Sequence, residues 1–518
     1  MKKFLCAVLS VMLVLSAAAC GQTDAPPAAA EAGTPSGAGT SAAGGIDFNE
    51  PPYELTVCYI VTGQESVDMP RIVERVNALA LKEINATIKL EPVSISSQAS
   101  TYALKASSQE KVDLMLLVPG GTYLTEYANS NMIQPIDEAV AQWGQAISEA
   151  IGDTLDTGKF KGRQYTIPEP DLWLNCYGFQ FRVDLLEKYG YTVSDIKSIA
   201  DIDALFEKVH AGEPDIFIIM PETPGGNMAT IMAGSADGLG VGPGILDQET
   251  GHVVMQEETE AFKEALRVVR GWYEKGYISR DVNTLQERAV NLLVENKCFS
   301  STVGGVNPAG GLTTPFHGQF ATLQNQMPLL TTSSQQLFMW AVPSHAARPD
   351  KSVQFLNFLF ASTEAANLFR FGIEGEHYTV EPDGSVMNNI SPNYLMQWNC
   401  WGDSSKYPPQ VPNVKAVDPN ATIADYQARL DKWQEGITVS KAFGFTFDPE
   451  SVKTEIAACT AVQNEFLSML GNGALDPEIE LPNYVRKLKD AGAEKVIAEK
   501  QRQLDEFLSA GGGTSGQN

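Results

Sequence analysis

Aromatic side chains flanked by amides and carboxylates recur in the irregular parts of this 518-residue sequence. Trp398 and Trp401 lie three residues apart in a polar stretch rich in Gly and Pro, among Gln397, Asn399 and Asp403. An indole face covers the apolar side of a sugar ring, while amide and carboxylate groups hydrogen-bond the ring hydroxyls. These residue types indicate a polyhydroxylated ligand bound in a cleft.

Two further stretches carry the same chemistry. Trp173 stands with Asn175 and Tyr177 after a Pro-containing loop, so its indole falls between strands, and Trp340 lies in a later return segment. We predict these four residues, together with Trp398 and Trp401, as ligand contacts. For each indole the alternative is packing against a neighbouring helix. That alternative is favoured for the three Trp residues on helical patterns, which are Trp143, Trp272 and Trp433.

Two polar turns complete the predicted binding set. Gln64 and Glu65 follow a β-rich run and precede a helical pattern, so they can present polar groups to a ligand; the alternative is an ordinary turn. Glu374 and His377 follow a long helical pattern in the sequence Gly-Ile-Glu-Gly-Glu-His. We predict that Glu374 faces the ligand or a hinge, the alternative being a helix-capping turn with a hydrogen-bonded His.

Sequence signatures of catalysis and of cofactor binding are missing. The five His are scattered without HxH or HExxH spacing, the Gly-rich run 233–244 has no following GK[ST], and GxSxG does not occur. We therefore predict no metal site, no cofactor and no enzyme. Paired carboxylates for glycoside hydrolysis stay open among 63 acidic residues, which leaves a tethered extracellular glycoside hydrolase as the alternative.

The charge balance excludes some partners. Acidic residues outnumber basic ones 63 to 37, giving a net charge of −26. Nucleic acid selects Lys and Arg surfaces, so we predict no nucleic-acid partner. Anionic lipid repels such a chain, so attachment to a membrane requires an anchor. Hydrophobic residues make up 43% of the chain, enough for a sizeable core.

The N-terminus carries an export pattern. Two lysines precede an apolar run over residues 4–15, too short to span a bilayer, and small residues lead to Cys20 as in a bacterial lipobox. We predict a signal peptide over residues 1–19, diacylation of the Cys20 thiol, and a flexible linker over 20–45 that is almost all Ala, Gly, Pro, Ser and Thr. The alternative is an ordinary signal peptide with an incidental Cys20.

Five cysteines remain beyond the signal peptide and Cys20, without CxxC spacing. An odd, sparse set is atypical of a disulfide framework. We predict small buried hydrophobes, with one bridging pair still possible.

Hydrophobic periodicity predicts alternating strands and helices, followed by a mostly helical stretch over 449–510. Such alternation implies right-handed crossovers and largely parallel sheets, whose ligands lie beyond the carboxyl ends of the strands. The predicted strands are 53–61, 86–93, 112–118, 164–168, 177–182, 215–220, 299–303 and 338–342. The predicted helices are 67–84, 101–107, 183–190, 201–210, 257–275, 285–295 and 349–371.

The order of short motifs resembles the extracellular solute-binding proteins of ABC importers, of the sugar-binding family 1 type. Within them the chain resembles a subgroup of larger lipoproteins with a C-terminal domain of unknown function. The resemblance spans about residues 53–508. Its motifs are 112–115 (VDLM), 132–138 (MIQPIDE), 161–168 (KGRQYTIP), 181–186 (FRVDLL), 271–278 (GWYEKGYI), 341–344 (AVPS), 349–360, 371–378 (FGIEGEHY) and 476–508.

This resemblance implies an α/β, two-lobed periplasmic-binding-protein-like fold of type II with a largely helical C-terminal region. It implies capture of a carbohydrate, expected to be an oligosaccharide, by a monomer that delivers it to membrane permease subunits at the extracytoplasmic face. We expect lobe 1 to comprise 46–150 with about 296–345, and lobe 2 to comprise 151–295 with about 346–448. A helical region over 449–510 and a disordered tail over 511–518 would follow. A peptide or lipid-linked substrate is the weaker alternative.

Overall fold

The structure is a computed structural model that describes residues 45–169, 174, 176–304, 320–324, 328–388, 390–396, 398, 400–415 and 420–513.

Lobe 1 is built on a five-stranded sheet. The first segment contains β1 (Tyr53–Val61), α1 (Met69–Ile84), β2 (Ala86–Ser94), α2 (Gln98–Ser107), β3 (Leu114–Leu117), α3 (Gly120–Asn129), α4 (Asp137–Trp143), α5 (Gln145–Ile151), β4 (Lys159–Phe160), β5 (Arg163–Gln164) and β6 (Thr166–Pro168).

The sheet of lobe 1 is mixed and not largely parallel as predicted, because the strand over residues 339–341 inserts antiparallel between β3 and β6. β1 pairs in parallel with β2 and β3, and its residues from Leu55 to Val61 are all buried, as a strand covered on both faces requires. α1 covers this sheet through Ile72, Val76 and Ala80, which lie four residues apart on one buried face. The helix ends at Asn85, whose φ of 48° suits a left-handed cap.

Lobe 2 is built on a four-stranded sheet, whose strands in spatial order are β12 (Phe320–Gln324), β7 (Tyr177–Arg182), β11 (Cys298–Gly304) and β8 (Phe217–Met220). Strand β11 runs antiparallel to β7 and parallel to β8. The elements of this lobe are β7 (Tyr177–Arg182), α6 (Val183–Lys188), α7 (Ile199–Gly212), β8 (Phe217–Met220), α8 (Met228–Ala233), β9 (Ile245–Leu246), β10 (Val253–Val254), α9 (Glu260–Glu274), α10 (Ala289–Val294), β11 (Cys298–Gly304) and β12 (Phe320–Gln324).

The chain then returns to lobe 1. Helix α12 (Pro349–Ala361) packs on α1, α4 and α5, and strand β14 (Met339–Ala341) inserts antiparallel between β3 and β6. The elements of this segment are β13 (Leu329–Leu330), α11 (Thr332–Gln335), β14 (Met339–Ala341), α12 (Pro349–Ala361), α13 (Thr363–Phe371), β15 (Thr379–Val380), β16 (Val386–Met387), α14 (Val411–Val414), α15 (Ile423–Gln434) and β17 (Thr438–Val439).

Three segments cross between the lobes and pack together. One crossing runs from the end of β6 to the start of β7, and the second runs from β12 into β13. The third contains β17, which pairs in parallel with β13. A small hydrophobic core joins all three crossings to lobe 2. Its members are Leu174, Cys176, Val303 and Leu330, with Trp433, Ile437 and Phe443 packed against them.

The C-terminal helices pack on lobe 2. They are α16 (Lys453–Gly471), α17 (Pro477–Asp490) and α18 (Ala493–Ser509). α16 and α17 contact α9, and α18 contacts β10. Their apolar residues merge with the core of lobe 2 through Phe466 and Tyr484, whose rings stack at a centroid distance of 5.3 Å. In the described part of the chain no helix is both long and apolar enough to cross a bilayer.

The predicted strands and helices are confirmed with shifts of up to four residues at their ends, with two exceptions. Strand 164–168 divides between β5 and β6, which belong to different sheets, and helix 349–371 divides at Ser362 into α12 and α13. The predicted lobe boundaries are wrong in three places. β6 belongs to the sheet of lobe 1, β11 belongs to the sheet of lobe 2, and α12 packs on lobe 1. Periodicity identifies a strand but does not identify the sheet that it joins. The five cysteines of the folded body are free and buried, which confirms their interpretation as small hydrophobes.

Candidate functional site

Trp398 lies at the carboxyl end of the sheet of lobe 1. Its indole N–H donates to the carbonyl oxygen of Ile60 over 2.9 Å, and its ring lies 4.9 Å from that of Phe338, just before β14. The side chain is half-buried. One hydrogen bond and one aromatic contact therefore fix an indole at the edge where an α/β sheet binds its ligands.

Two hydrogen bonds between Ser66 and Leu395 bring the predicted polar turn, which contains Gln64 and Glu65, beside the Trp398 indole. The Ser66 hydroxyl donates to the carbonyl of Leu395 and accepts from its N–H, both over 2.9 Å. Glu65, which is exposed, accepts from the Tyr59 hydroxyl over 2.6 Å, and Gln64 beside it is exposed. The structure thus brings Gln64, Glu65 and Trp398 to one rim, which we call the lobe 1 rim.

The turn that contains Glu374 is anchored next to this rim. His377 is buried, its Nδ1 accepts from the Ile373 N–H over 2.9 Å, and its Nε2 lies 3.0 Å from a carboxylate oxygen of Asp68. Because Nδ1 accepts a hydrogen bond, the ring proton is on Nε2, and Nε2 donates a hydrogen bond to the Asp68 carboxylate. This hydrogen bond lowers the pKa of Asp68. His377 is therefore the hydrogen-bonded His of the alternative interpretation, and Glu374 is exposed on its turn.

Trp340 and Trp401 occupy the core of lobe 1, which corrects their predicted place on a ligand surface. Each is 1% exposed. Trp340 lies in β14, an interior strand of the sheet, and donates its indole N–H to the carbonyl of Cys400 over 2.8 Å. Trp401 stacks on Phe369 of α13 at 4.2 Å. The apolar helix α13 covers the loop that carries Trp401, so a Gly-rich, polar loop sequence did not imply exposure.

A second rim lies at the matching edge of lobe 2. Tyr177, at the start of β7, pairs with Gly304, at the end of β11. Glu222 follows β8 and accepts from the Gly304 N–H over 2.9 Å. Burial and the Glu222 carboxylate raise the pKa of the Tyr177 phenol. We call these three residues the lobe 2 rim. Glu222 was missed by sequence reasoning, although its place directly after a predicted strand was a usable signal.

The first crossing segment connects the two rims along the chain. The first crossing leaves lobe 1 at Pro168 and reaches Tyr177 within nine residues, a span of at most about 30 Å of extended chain. Pro168 pairs with Met339, next to Phe338 and the lobe 1 rim. Trp173, Asn175, Gln397 and Asn399 belong to the same stretches of chain but lie outside the described residues, as does Cys20.

A large cavity of about 1390 Å³ lies beside the crossing segments. It is bordered by Leu330 of β13 and Val439 of β17, by the β4–β5 hairpin, by the segment 443–451 and by helix α18. Ion pairs cross its lining, with Lys161 2.8 Å from Asp448 and Lys159 2.6 Å from Asp156. None of the described residues at the carboxyl ends of the two main sheets contributes to this lining. Volume alone therefore does not make it the ligand cleft.

Comparison with known proteins gives the class. Residues 74–372 match the family described as bacterial extracellular solute-binding protein, and residues 441–509 match a domain of unknown function. A carbohydrate ABC transporter substrate-binding protein of Streptococcus pneumoniae serotype 4 is 24% identical over 467 residues, which are 86% of this chain and 89% of that protein.

Solved structures give the same fold. The N-glycan transport solute binding protein NgtS of S. pneumoniae superposes with a TM-score of 0.73 at 20% identity, covering 89% of this chain and 100% of that one. Its complex with Man1GlcNAc gives 0.67 at 21% identity, covering 88% and 99%. The fold is that of the two-lobed solute-binding proteins. The family match extends over more than half of the sequence, and the chain belongs to the bacterial extracellular solute-binding proteins.

Proposed function

We propose that this protein is the substrate-binding component of an ABC importer and that it captures a neutral oligosaccharide between the lobe 1 and lobe 2 rims. The observation that carries the proposal is the half-buried Trp398 indole, fixed at the carboxyl edge of β1 by its bond to Ile60. An ordered aromatic face beside carboxylates suits a sugar ring with hydroxyls at its margin. The carbohydrate-binding relatives support the same class.

The charge of the rims supports a neutral ligand rather than an acidic one. Glu65 stands on the lobe 1 rim and Glu222 on the lobe 2 rim. The chain as a whole has a net charge of −26, which becomes −28 once the two lysines of the signal peptide leave. Carboxylates accept hydrogen bonds from sugar hydroxyls, whereas they repel the carboxylates of uronic acids. The carboxylates of the two rims therefore favour a neutral oligosaccharide over an acidic one.

Delivery follows from the same proposal. Diacylation of Cys20 and the linker over residues 20–45 hold the body at the outer face of the membrane, where a monomer presents its closed form to the permease. Binding closes the lobes about the three crossings that pack around Leu330. We propose no catalytic step. Incubation with glycans is expected to release no new reducing ends, and their release would favour the tethered glycoside hydrolase instead.

Calorimetry on the mature body with a defined panel tests the proposal. Mannosyl-N-acetylglucosamine and kestose are neutral probes, and alginate oligomers are the acidic comparison. We expect at least one neutral probe to bind, the acidic oligomers to bind more weakly, and the radius of gyration from small-angle scattering to fall on saturation. A protein that binds only the acidic oligomers, or none of the panel, would contradict the proposal.

A further inference from the structure

A buried lysine of the C-terminal domain sits where a bound cation would sit. Lys500 of α18 is 0% exposed. Its ammonium donates to the carbonyl oxygens of Gly238, Gly242 and Gly244 over 2.7, 3.0 and 3.3 Å. A buried charge is costly unless its donors are satisfied, and an ammonium has three. These three carbonyls match that number.

Charge at the site favours the ammonium form. Asp237 is buried beside the loop, where its two carboxylate oxygens accept from the Leu239 N–H over 2.9 Å and from the Ser440 hydroxyl over 2.6 Å. Burial lowers the pKa of Lys500 to about 7, while the Asp237 carboxylate opposes that shift. The C-terminal helix places the Lys500 Nζ among three inward-pointing carbonyls, the number of acceptors that the three N–H donors of an ammonium require.

The loop so held contains one left-handed residue that is not glycine. Gly240, Gly242 and Gly244 have φ values of +90°, +84° and +102°, which glycine adopts readily. A Cβ at Gly242 would lie 2.9 Å from the Ile456 side chain of α16. Leu239 has a φ of +53°, and a left-handed conformation of a leucine persists only where surrounding contacts impose it. Here those contacts come from the C-terminal domain.

The far side of the loop lines a pocket between the lobes. The pocket holds about 240 Å³ and begins at Pro119 and Thr122, directly after the carboxyl end of β3 and so beside the lobe 1 rim. Its other walls are Leu239–Val241 of the loop, Ser333 of α11 with Gln336 directly after that helix, and Phe445–Phe447, which follow β17. The described residues that line it offer apolar surface, hydroxyls and one amide, and none is charged.

We infer that this pocket is a subsite for one neutral sugar ring and that Lys500 is the positioning residue that holds its wall. The inference rests on the proposed function and assigns a role to the C-terminal domain. The pocket is smaller than the roughly 300–1,000 Å³ typical of whole ligand sites, so it suits a single ring at one end of an oligosaccharide. Its uncharged lining of hydroxyl and apolar groups suits a hexose.

Hydrogen exchange on the protein without sugar tests the role of Lys500. In Lys500→Met we expect amides of residues 237–244 to exchange about tenfold faster than in the unaltered protein, since the loop loses its cation. Lys495→Met is the matched control, because Lys495 lies exposed on the same helix and pairs only with Glu455 among described residues. In Lys500→Ala, methylammonium chloride is expected to restore slow exchange, whereas sodium chloride at equal ionic strength is not. Unchanged exchange in Lys500→Met would overturn this role.

Calorimetry tests the subsite separately. Ser333 is exposed and lines the pocket, so Ser333→Trp fills the space without disturbing the core. We expect this variant to bind neutral oligosaccharides of four or more residues about tenfold more weakly, with disaccharide affinity unchanged. Equal affinity for all lengths would overturn the subsite. If the unaltered protein binds none of the sugars, the proposed function and the subsite both fail, while the exchange result still decides whether Lys500 holds the loop.

Discussion

The indole nitrogen of Trp398 and the carbonyl oxygen of Ile60 lie 2.9 Å apart, joining a loop of the return segment to the first strand of the chain. Ile60 is the last residue but one of β1, so the bond fixes the indole at the end of the sheet. With its polar atom satisfied and its ring held against Phe338, Trp398 has little freedom left to lose on binding. Such preorganisation improves affinity without adding contacts.

Truncating this indole tests the aromatic contact. In Trp398→Ala we expect affinity for the best neutral oligosaccharide to fall more than tenfold, corresponding to about 2 kcal/mol. The side chain is only half-buried, so the melting temperature should stay within a few degrees. Calorimetry and a melting curve on the same preparation measure both. A variant that melts as the unaltered protein does and binds equally well would remove Trp398 from the site.

Trp401 provides the opposite expectation. It is buried against Phe369 and Tyr59, so Trp401→Ala removes a large core side chain and leaves a cavity. We expect a loss of about 3–5 kcal/mol in the free energy of unfolding, measured by urea denaturation. Trp340→Ala should behave in the same way. If either variant keeps its stability and loses affinity selectively, the placement of that indole in the core is wrong.

The local structure of this chain was predictable because its strands and helices have distinct periodicities. Strands 53–61 and 177–182 were predicted with the bounds that the structure shows. The lobe to which a strand belongs was not predictable, because β6 and β11 join their sheets through partners more than 40 residues away. Sequence distance carries no information about such pairings.

The site was predictable only in part, and for a similar reason. Gln64 and Glu65 directly follow β1, so the rule for carboxyl ends predicts their place at the edge of the sheet, whereas Tyr177 begins β7 and was predicted from its residue type. Trp340, Trp401 and Trp398 are all tryptophans. Only their tertiary contacts distinguish the two core indoles of Trp340 and Trp401 from the rim indole of Trp398. The burial of Lys500 among three carbonyl oxygens was not predictable from the sequence either, because a lysine on an amphipathic helix normally points to solvent.

The hydrogen bond between His377 and Asp68 predicts an acid-sensitive contribution to stability. It lowers the pKa of Asp68 in the folded protein below its unfolded value of about 3.9. The stabilisation is therefore fully present above that value and is lost as the pH falls through the lower folded pKa. We expect urea midpoints of the unaltered protein and Asp68→Asn to differ at pH 7 and to converge toward pH 2. Asp153→Asn, at an exposed carboxylate, should show no such convergence.

The lipid anchor is tested in the intact cell. Cys20 follows a short apolar run and small residues, and diacylation requires its thiol. Labelling with a fatty-acid analogue should tag the unaltered protein, whereas Cys20→Ser should remain untagged and leave the membrane fraction. Cys176→Ser serves as control, because Cys176 is buried in the folded body. Equal labelling of the unaltered protein and Cys20→Ser would contradict the anchor.

The carboxylate of Glu222 is expected to set the preference for neutral ligands. Its Oε2 accepts from the Gly304 N–H, a contact that the amide oxygen of Gln preserves, so Glu222→Gln removes charge while keeping the local geometry. Carboxylates accept stronger hydrogen bonds from ligand hydroxyls than neutral amides do. We therefore expect affinity for a neutral oligosaccharide to fall about tenfold, equivalent to about 1.4 kcal/mol.

The same substitution should act in the opposite direction on acidic sugars. Loss of the negative charge removes a repulsion, so affinity for alginate oligomers should rise or stay constant while affinity for the neutral sugar falls. Calorimetry with both ligands gives the ratio directly, at low and at high salt, since screening weakens charge repulsion. Glu187→Gln, at an exposed position on α6, is the matched control and should leave the ratio unchanged. An equal loss for both ligands in Glu222→Gln would show that the residue supports the rim structurally and does not select by charge.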